Sequence, residues 1–246
     1  WPVLLLAMPC LLPPFAAGAA DRDSVSMTAA TAKPESSVTQ VVMLGTGTPN
    51  ADPERSGPSV AIVVRGKAYL VDCGPGVVRR AAAAHRNGIA ALAPEKLGIV
   101  FITHLHSDHT MGLPDLMLTP WVLERAAALE VYGPTGVRTM TDHLLAAWAE
   151  DIRVRIEGFE PEKTDGWQVH THEIVAGPVY QDSNVKVTAI PVPHANWRRA
   201  FAYRFETPDR VIVVSGDSRR RDALVKACDG CDILGHEVYS ADRFST

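Results

Sequence analysis

The chain has 246 residues, 46% of them hydrophobic and 21% charged, with a formal net charge of -4. That length suits one large domain or two small ones, and the composition is that of an ordinary globular protein. The acidic balance builds in no bulk attraction to nucleic acid.

Residues 1–20 read as an export signal rather than as fold. An apolar run through Leu4, Leu5, Leu6, Leu11, Leu12 and Phe15 is followed by Ala16-Ala17-Gly18-Ala19-Ala20, so Ala17 and Ala19 fit a small-x-small cleavage site. Prolines at 2, 9, 13 and 14 argue against a spanning helix. The start at Trp1, without a basic n-region, leads us to expect a signal peptide clipped at its N-terminus. Residues 21–37, rich in Ser, Thr, Ala and acidic side chains, read as a flexible linker. The expectation is an exported protein, periplasmic or secreted, with no membrane span once mature. Residues 38–246 would form its folded domain.

Within that domain, residues 41–44 predict a strand that enters a loop of Gly, Pro and Asp residues ending at Pro58. The loop carries neither G-x-x-x-x-G-K-[ST] nor a helix-opening G-x-G-x-x-G, which speaks against nucleotide binding. Residues 60–64 and 68–71 predict a hairpin turning near Gly66-Lys67. Pro75 suits the first turn of a helix over 77–87, closed by Gly88. Residues 98–102 are an apolar run of the buried-strand type. Pro114 and Pro120 predict a broken helical stretch over 113–125, and residues 129–132 a short strand ending at Gly133-Pro134. An amphipathic helix is expected over 137–150, with Met140, Leu144, Ala147 and Trp148 on one side. From Trp167 the period changes to two, and Gln168, His170 and His172 share a face read as solvated. Val185, Val187 and Ala189 alternate with Lys186 and Thr188 in a half-buried strand ending at Pro191-Val192-Pro193-His194. Strands over 200–205 and 211–214 follow, the second running into Ser215-Gly216-Asp217; then a helix over 220–226 and a last strand at 233–234 that reaches His236-Glu237. Two stacked β-sheets covered by helices, an α/β fold of the αββα sandwich type, accommodate this order.

The chemistry concentrates at one strand end. His104-Leu105-His106-Ser107-Asp108-His109 places three histidines and an aspartate directly after the apolar run. In extended backbone His104 and His106 point to the same side, and a turn at Asp108-His109 would aim both at a common point. Neutral imidazole and carboxylate suit zinc, and also iron or manganese. His194 and Asp217 also stand at strand ends. Cys73 reads as a buried thiol; Cys228 and Cys231 form a lone C-x-x-C that could bridge or stay reduced.

The string His104 to His109 matches the HxHxDH signature of the metallo-β-lactamase superfamily. With Leu44-Gly45-Thr46-Gly47-Thr48-Pro49, Val71-Asp72-Cys73-Gly74-Pro75-Gly76 and Val214-Ser215-Gly216-Asp217-Ser218, the chain from about Val38 onward resembles its ribonuclease Z-like and arylsulfatase-like branch. The resemblance implies the αββα fold and two metal ions, with Zn2+ expected and Mn2+ or Fe2+ as alternatives. It implies that His104, His106 and His194 hold one ion, Asp108 and His109 the other, and that Asp217 bridges both. It also implies a late histidine ligand; none follows His236, so the domain is expected to lack its C-terminal part and to be nearly inactive as it stands.

Two neighbouring cations would lower the pKa of a shared water to about 7. Asp108 could orient that water or take its proton, and His236 with Glu237 could protonate a leaving group or hold a substrate oxygen. Arg198, Arg199, Arg219, Arg220 and Arg221 flank these residues in sequence, where they could meet an anionic substrate or form a solvated basic face. The expected activity is metal-dependent hydrolysis of small anionic esters, phosphodiester or aryl sulfate, by a protein that could form a homodimer. The alternatives are a ribonuclease Z-like tRNA 3′-processing endonuclease, a β-lactam or lactone hydrolase, and a non-catalytic metal-binding envelope protein. Asp217 speaks against the β-lactamases, which usually lack that carboxylate. The short interval between His194 and Asp217, where the resemblance would place a tRNA-gripping arm, speaks with the net charge against nucleic acid.

Overall fold

The computed structural model describes residues 38–158 and 165–238. The signal peptide expected over 1–20 and the linker expected over 21–37 lie outside them. The first sheet runs in chain order through β1 (Thr39–Gly45), β2 (Ser59–Val64), β3 (Lys67–Val71), β4 (Ile99–Phe101), β5 (Leu129–Gly133) and β6 (Val169–Glu173). The second contains β7 (Gly177–Gln181), β8 (Lys186–Pro191), β9 (Phe201–Glu206), β10 (Val211–Val214) and β11 (Ile233–Gly235), in the order β11-β10-β9-β8-β7.

Period-two patterning in β2 and β3 builds the layers. Val60, Ile62, Val64, Tyr69 and Val71 face the second sheet, where they meet Val187, Tyr203, Phe205 and Ile212. Ala61, Val63, Ala68 and Leu70 face the other way, onto α1 (Val77–Arg86) and α3 (Leu113–Val122). The outer face of the second sheet packs on α6 (Asp222–Ala227) through Ile190, Ala202, Val213 and Leu224. Helix, sheet, sheet, helix is the expected αββα sandwich, and its layers bring the ends of β3, β4, β8 and β10 together.

The chain departs from expectation in several elements. α3 is one continuous helix. Pro114 lies in its first turn, where a missing N–H costs nothing, and Pro120 lies near its end. Pro120 cannot donate to Leu116, and the buried Arg125 guanidinium donates to that carbonyl instead, at 2.8 Å. The helix expected over 137–150 is two: α4 (Val137–Ala147) and α5 (Ala149–Glu157), divided at Trp148, which is 45% exposed rather than part of a buried stripe. β7 was not expected, because Gly177-Pro178 is poor strand sequence. His170 and His172 are solvated but not alone: both bond Glu130 across from β5, at 2.8 and 2.6 Å. Cys228 and Cys231 are joined in a disulfide.

Candidate metal centre

The centre starts from Asp72, immediately after β3, and Thr103, just beyond β4. Asp72 has a left-handed backbone (φ 59°), which Asp tolerates better than most residues. It is buried, and its carboxylate accepts from the Thr103 backbone N–H at 2.8 Å, from Thr103 Oγ1 at 2.9 Å and from His109 Nδ1 at 2.8 Å. The Thr103 hydroxyl, having donated to Asp72, accepts from His104 Nδ1 at 3.0 Å. Both imidazoles thus spend their Nδ1 hydrogen on this buried scaffold, which leaves a lone pair on each Nε2.

α2 (Ser107–Thr110) forms the turn that the adjacent Asp108 and His109 require. Thr110 Oγ1 bonds the His106 carbonyl at 2.9 Å, and Cys73 N–H bonds the His109 carbonyl at 2.9 Å. Gly74 lets the preceding loop approach: a Cβ there would lie 2.5 Å from the Asp108 carbonyl and 2.7 Å from the Gly57 Cα. Cys73 is buried, and burial pushes its thiol pKa well up, so it is a packing residue.

The second sheet contributes His194 from the end of β8 and Asp217 from beyond β10. His104 Nε2 lies 2.9 Å, and His194 Nε2 3.1 Å, from His106 Nδ1. One hydrogen on His106 Nδ1 can serve only one of those neighbours, whereas a cation between the three nitrogens satisfies all of them. Donor atoms of His104, His106, His194 and Asp217 all lie within 4.8 Å of one another. His109 Nε2 is buried without a hydrogen bond, although it is 3.3 Å from Asp217 Oδ1 and 3.7 Å from Asp108 Oδ2. Asp217 Oδ2 is 3.8 Å from His194 Nε2. The donor set and the orphaned nitrogen both fit divalent cations.

Electrostatics divide the two imidazoles, and without a cation the carboxylates beside His109 favour its protonated form. Burial, helped by the neighbouring His109, lowers the His104 pKa to about 3, which keeps that ring neutral. At His109 burial also opposes charge, but Asp72 and Asp217 prevail and raise its pKa to about 10. Burial opposes charge at Asp217 too, yet His109 and its other imidazole neighbours hold its pKa low.

Of the six expected ligands, His104, His106, His194 and Asp217 bring their donor atoms together, and His109 and Asp108 adjoin them through the contacts of His109 Nε2. His236 is exposed, with Nδ1 2.8 Å from the Glu237 carbonyl, whereas the Glu237 carboxylate accepts from the Ser218 backbone N–H at 2.6 Å, beside Asp217. Burial, then Asp217, raise the Glu237 pKa. Sequence reasoning gave no role to Asp72, Thr103 or Trp197. The Trp197 ring stands edge-on to His106 and His104, with centroids 5.1 and 6.0 Å away. The strand-end position of Asp72 was the available signal; its partners, 31 and 37 residues away, were not visible.

Comparisons with known proteins agree with this geometry. The family model described as "Beta-lactamase superfamily domain" matches residues 67–244. "Ribonuclease Z" of Mycobacterium bovis (strain BCG / Pasteur 1173P2) is 35% identical over 206 residues, 82% of this chain and 71% of that protein. "Ribonuclease Z" of Mycobacterium sp. (strain KMS) is 36% identical over 205 residues, 82% of this chain and 70% of that protein. The crystal structure of the short form of human tRNase Z superposes with a TM-score of 0.64 at 25% identity, covering 82% of this chain and 79% of that one.

Proposed function

The chain belongs to the β-lactamase superfamily and is a ribonuclease Z-like, metal-dependent hydrolase, and from that premise we propose that it cleaves phosphodiester bonds in RNA. The observation that carries the proposal is Asp217. One carboxylate faces His194 Nε2 at 3.8 Å and His109 Nε2 at 3.3 Å, which suits two cations sharing a ligand. His104, His106 and His194 would hold one and Asp108 and His109 the other; zinc suits this nitrogen-and-oxygen set. Bound there, the cations supply an activated water and positive charge against the phosphoryl oxygens.

The chain's own residues do the rest. Asp72 and Thr103 fix the tautomers of His109 and His104. Asp108, nearly buried beside His109, orients the attacking water and takes its proton. Glu237, held by the Ser218 backbone N–H and pushed up in pKa by burial, is the candidate to protonate the departing oxygen, with His236 exposed beside it.

A second reading, hydrolysis of small phosphodiesters or aryl sulfates, is favoured by one observation. β9 and β10 fill the interval between His194 and Asp217, so no long arm projects there. The test gives the purified full-length, metal-loaded protein a precursor tRNA, bis(4-nitrophenyl) phosphate, an aryl sulfate and a β-lactam. Cleavage of the precursor supports the proposal. Turnover of small esters alone selects the second reading, and a folded, metallated protein that turns over neither the precursor, the small diester nor the aryl sulfate defeats both.

The apolar run and small residues of positions 1–20 motivate a separate proposal, that the protein is exported. N-terminal sequencing of the mature protein should begin near Ala20; an intact N-terminus on a cytosolic protein would refute export.

A further inference from the structure

The turn between β8 and β9 does more than deliver His194. Trp197 N–H bonds the His194 carbonyl at 2.9 Å, and Ala195 takes a positive φ of 43°, so the chain doubles back at once. The reversal sets Trp197 against the imidazoles and leaves Arg198 and Arg199 exposed beyond it. Behind them lies a hollow of about 270 Å3, with an apolar floor that includes Val175, Val192 and Phe201 and with the two arginines in its lining. It adjoins the metal centre: Phe201 N–H bonds the carbonyl of Thr103, the residue before His104, at 2.9 Å.

The charges around the hollow differ from the net charge of the chain. Arg199 is held by Thr135 Oγ1 at 2.7 Å, which leaves the rest of its guanidinium fork for a ligand. Arg198, Arg219, Arg220 and Arg221 make no ion pair among the described residues, and the Arg219 backbone bonds the Pro193 carbonyl, bringing that basic run to the same turn. A chain of net charge -4 thus gathers arginines without carboxylate partners beside its cation site. Val175 is 66% exposed, an apolar side chain open to solvent next to them. Apolar floor, guanidinium rim and adjoining metal centre match the three parts of a nucleotide within a strand: base, flanking phosphate and scissile phosphate.

We infer that this hollow seats one nucleotide of a single-stranded RNA segment beside the scissile bond, the base over Val175, Val192 and Phe201 and the flanking phosphate on Arg198 and Arg199. The inference rests on the phosphodiesterase reading above and names how that site recognises a strand without an arm.

The experiment uses the full-length protein and a short, labelled, single-stranded oligoribonucleotide. Binding is read by fluorescence anisotropy after metal chelation, so that no cleavage occurs, across a salt series. The variants are R198A/R199A and, as a separate probe of the base, V175D at an exposed position. The double variant should bind about tenfold or more weakly, and its log–log salt slope should shrink by about 0.7, the contribution of the one single-strand phosphate contact that the two arginines share. V175D should weaken binding of the oligonucleotide more than that of inorganic triphosphate. With metal restored, the double variant should raise KM for the oligonucleotide far more than KM for bis(4-nitrophenyl) phosphate. Unchanged affinity and slope in the double variant, or equal effects of V175D on the oligonucleotide and triphosphate, would overturn the inference. A wild-type protein that turns over no diester would instead reject the phosphodiesterase reading, because the chelated binding measurement stands apart from it.

Discussion

A single carboxylate outside the ligand set organises the ligands. Asp72 is buried at the junction of β3 and β4 and accepts hydrogens from the Thr103 backbone, the Thr103 hydroxyl and His109 Nδ1. Replacing it by Asn preserves its shape but puts an amide donor where Thr103 and His109 both need an acceptor. Asp72→Asn should therefore weaken metal affinity about 10- to 100-fold, as loss of an outer partner to a metal-binding histidine typically does. Chelator competition with a chromophoric indicator measures this, and affinity equal to wild type would show that the tautomer argument is wrong. Asp72→Ala removes the charge beside a buried imidazole and should also destabilise the chelated protein, by about 3 kcal/mol. None of this was legible in Val71-Asp72-Cys73 alone. The cluster His104 to His109 could be read because its ligands are neighbours in sequence, whereas the role of Asp72 exists only once β3 and β4 lie side by side.

Elements were legible to the extent that they show a strong apolar period. β2, buried throughout, and the β2–β3 hairpin were plain. α5 was missed because it buries only Ile152 and is otherwise held by ion pairs, the exposed Arg153 with Glu150 and Glu157 and the half-buried Arg155 with Asp151; such pairs give little hydrophobic signal. The continuity of α3 was missed because its support is remote. Arg125 donates to the carbonyls of Leu97, Leu116, Met117 and Gly166, and burial lowers its pKa to about 10. Arg125→Met should leave those acceptors unsatisfied and cost about 2–4 kcal/mol in urea unfolding, with metal content unchanged in the protein that folds. A second device joins the sheets. Asp182, in the β7–β8 turn, accepts from Lys67 at 2.8 Å and from Tyr69 at 2.7 Å, both on β3. Burial opposes its charge, but these donors prevail and hold its carboxyl well below the usual range. A depressed carboxylate contributes stability that is present above its unfolded pKa of about 3.9 and is lost as pH falls through the lower folded value. Chelated wild-type protein should thus lose more stability between pH 5 and the acid limit, on the order of pH 2, than Asp182→Asn does. Parallel acid limbs in the two proteins would exclude Asp182 as a source of that slope.

At the scale of the molecule, the αββα order followed from counting strands and helices, but the meeting of two halves at one centre did not. His104, His106, Asp108 and His109 follow β4 of the first sheet, and His194 and Asp217 follow β8 and β10 of the second. Few other polar links span the strand ends here; among the described residues they include Phe201 N–H to the Thr103 carbonyl and Tyr203 OH to the Ile102 carbonyl, at 2.9 and 2.7 Å. A cation shared by both sheets binds the assembled molecule and not the unfolded chain, so its binding free energy adds to that of folding. At a metal concentration about a thousandfold above Kd the increment is about 4 kcal/mol. For a domain of this size that corresponds to a rise in Tm of roughly 8–16 °C. Scanning calorimetry with and without chelator should show the rise in wild type and lose most of it in Asp217→Ala, because that carboxylate faces the imidazoles of both sheets. Amide exchange should slow on metal addition at the ends of β4, β8 and β10 together. A Tm unmoved by metal, or protection confined to the His104–His109 segment, would mean that the cation is held by the first sheet alone and does not join the two.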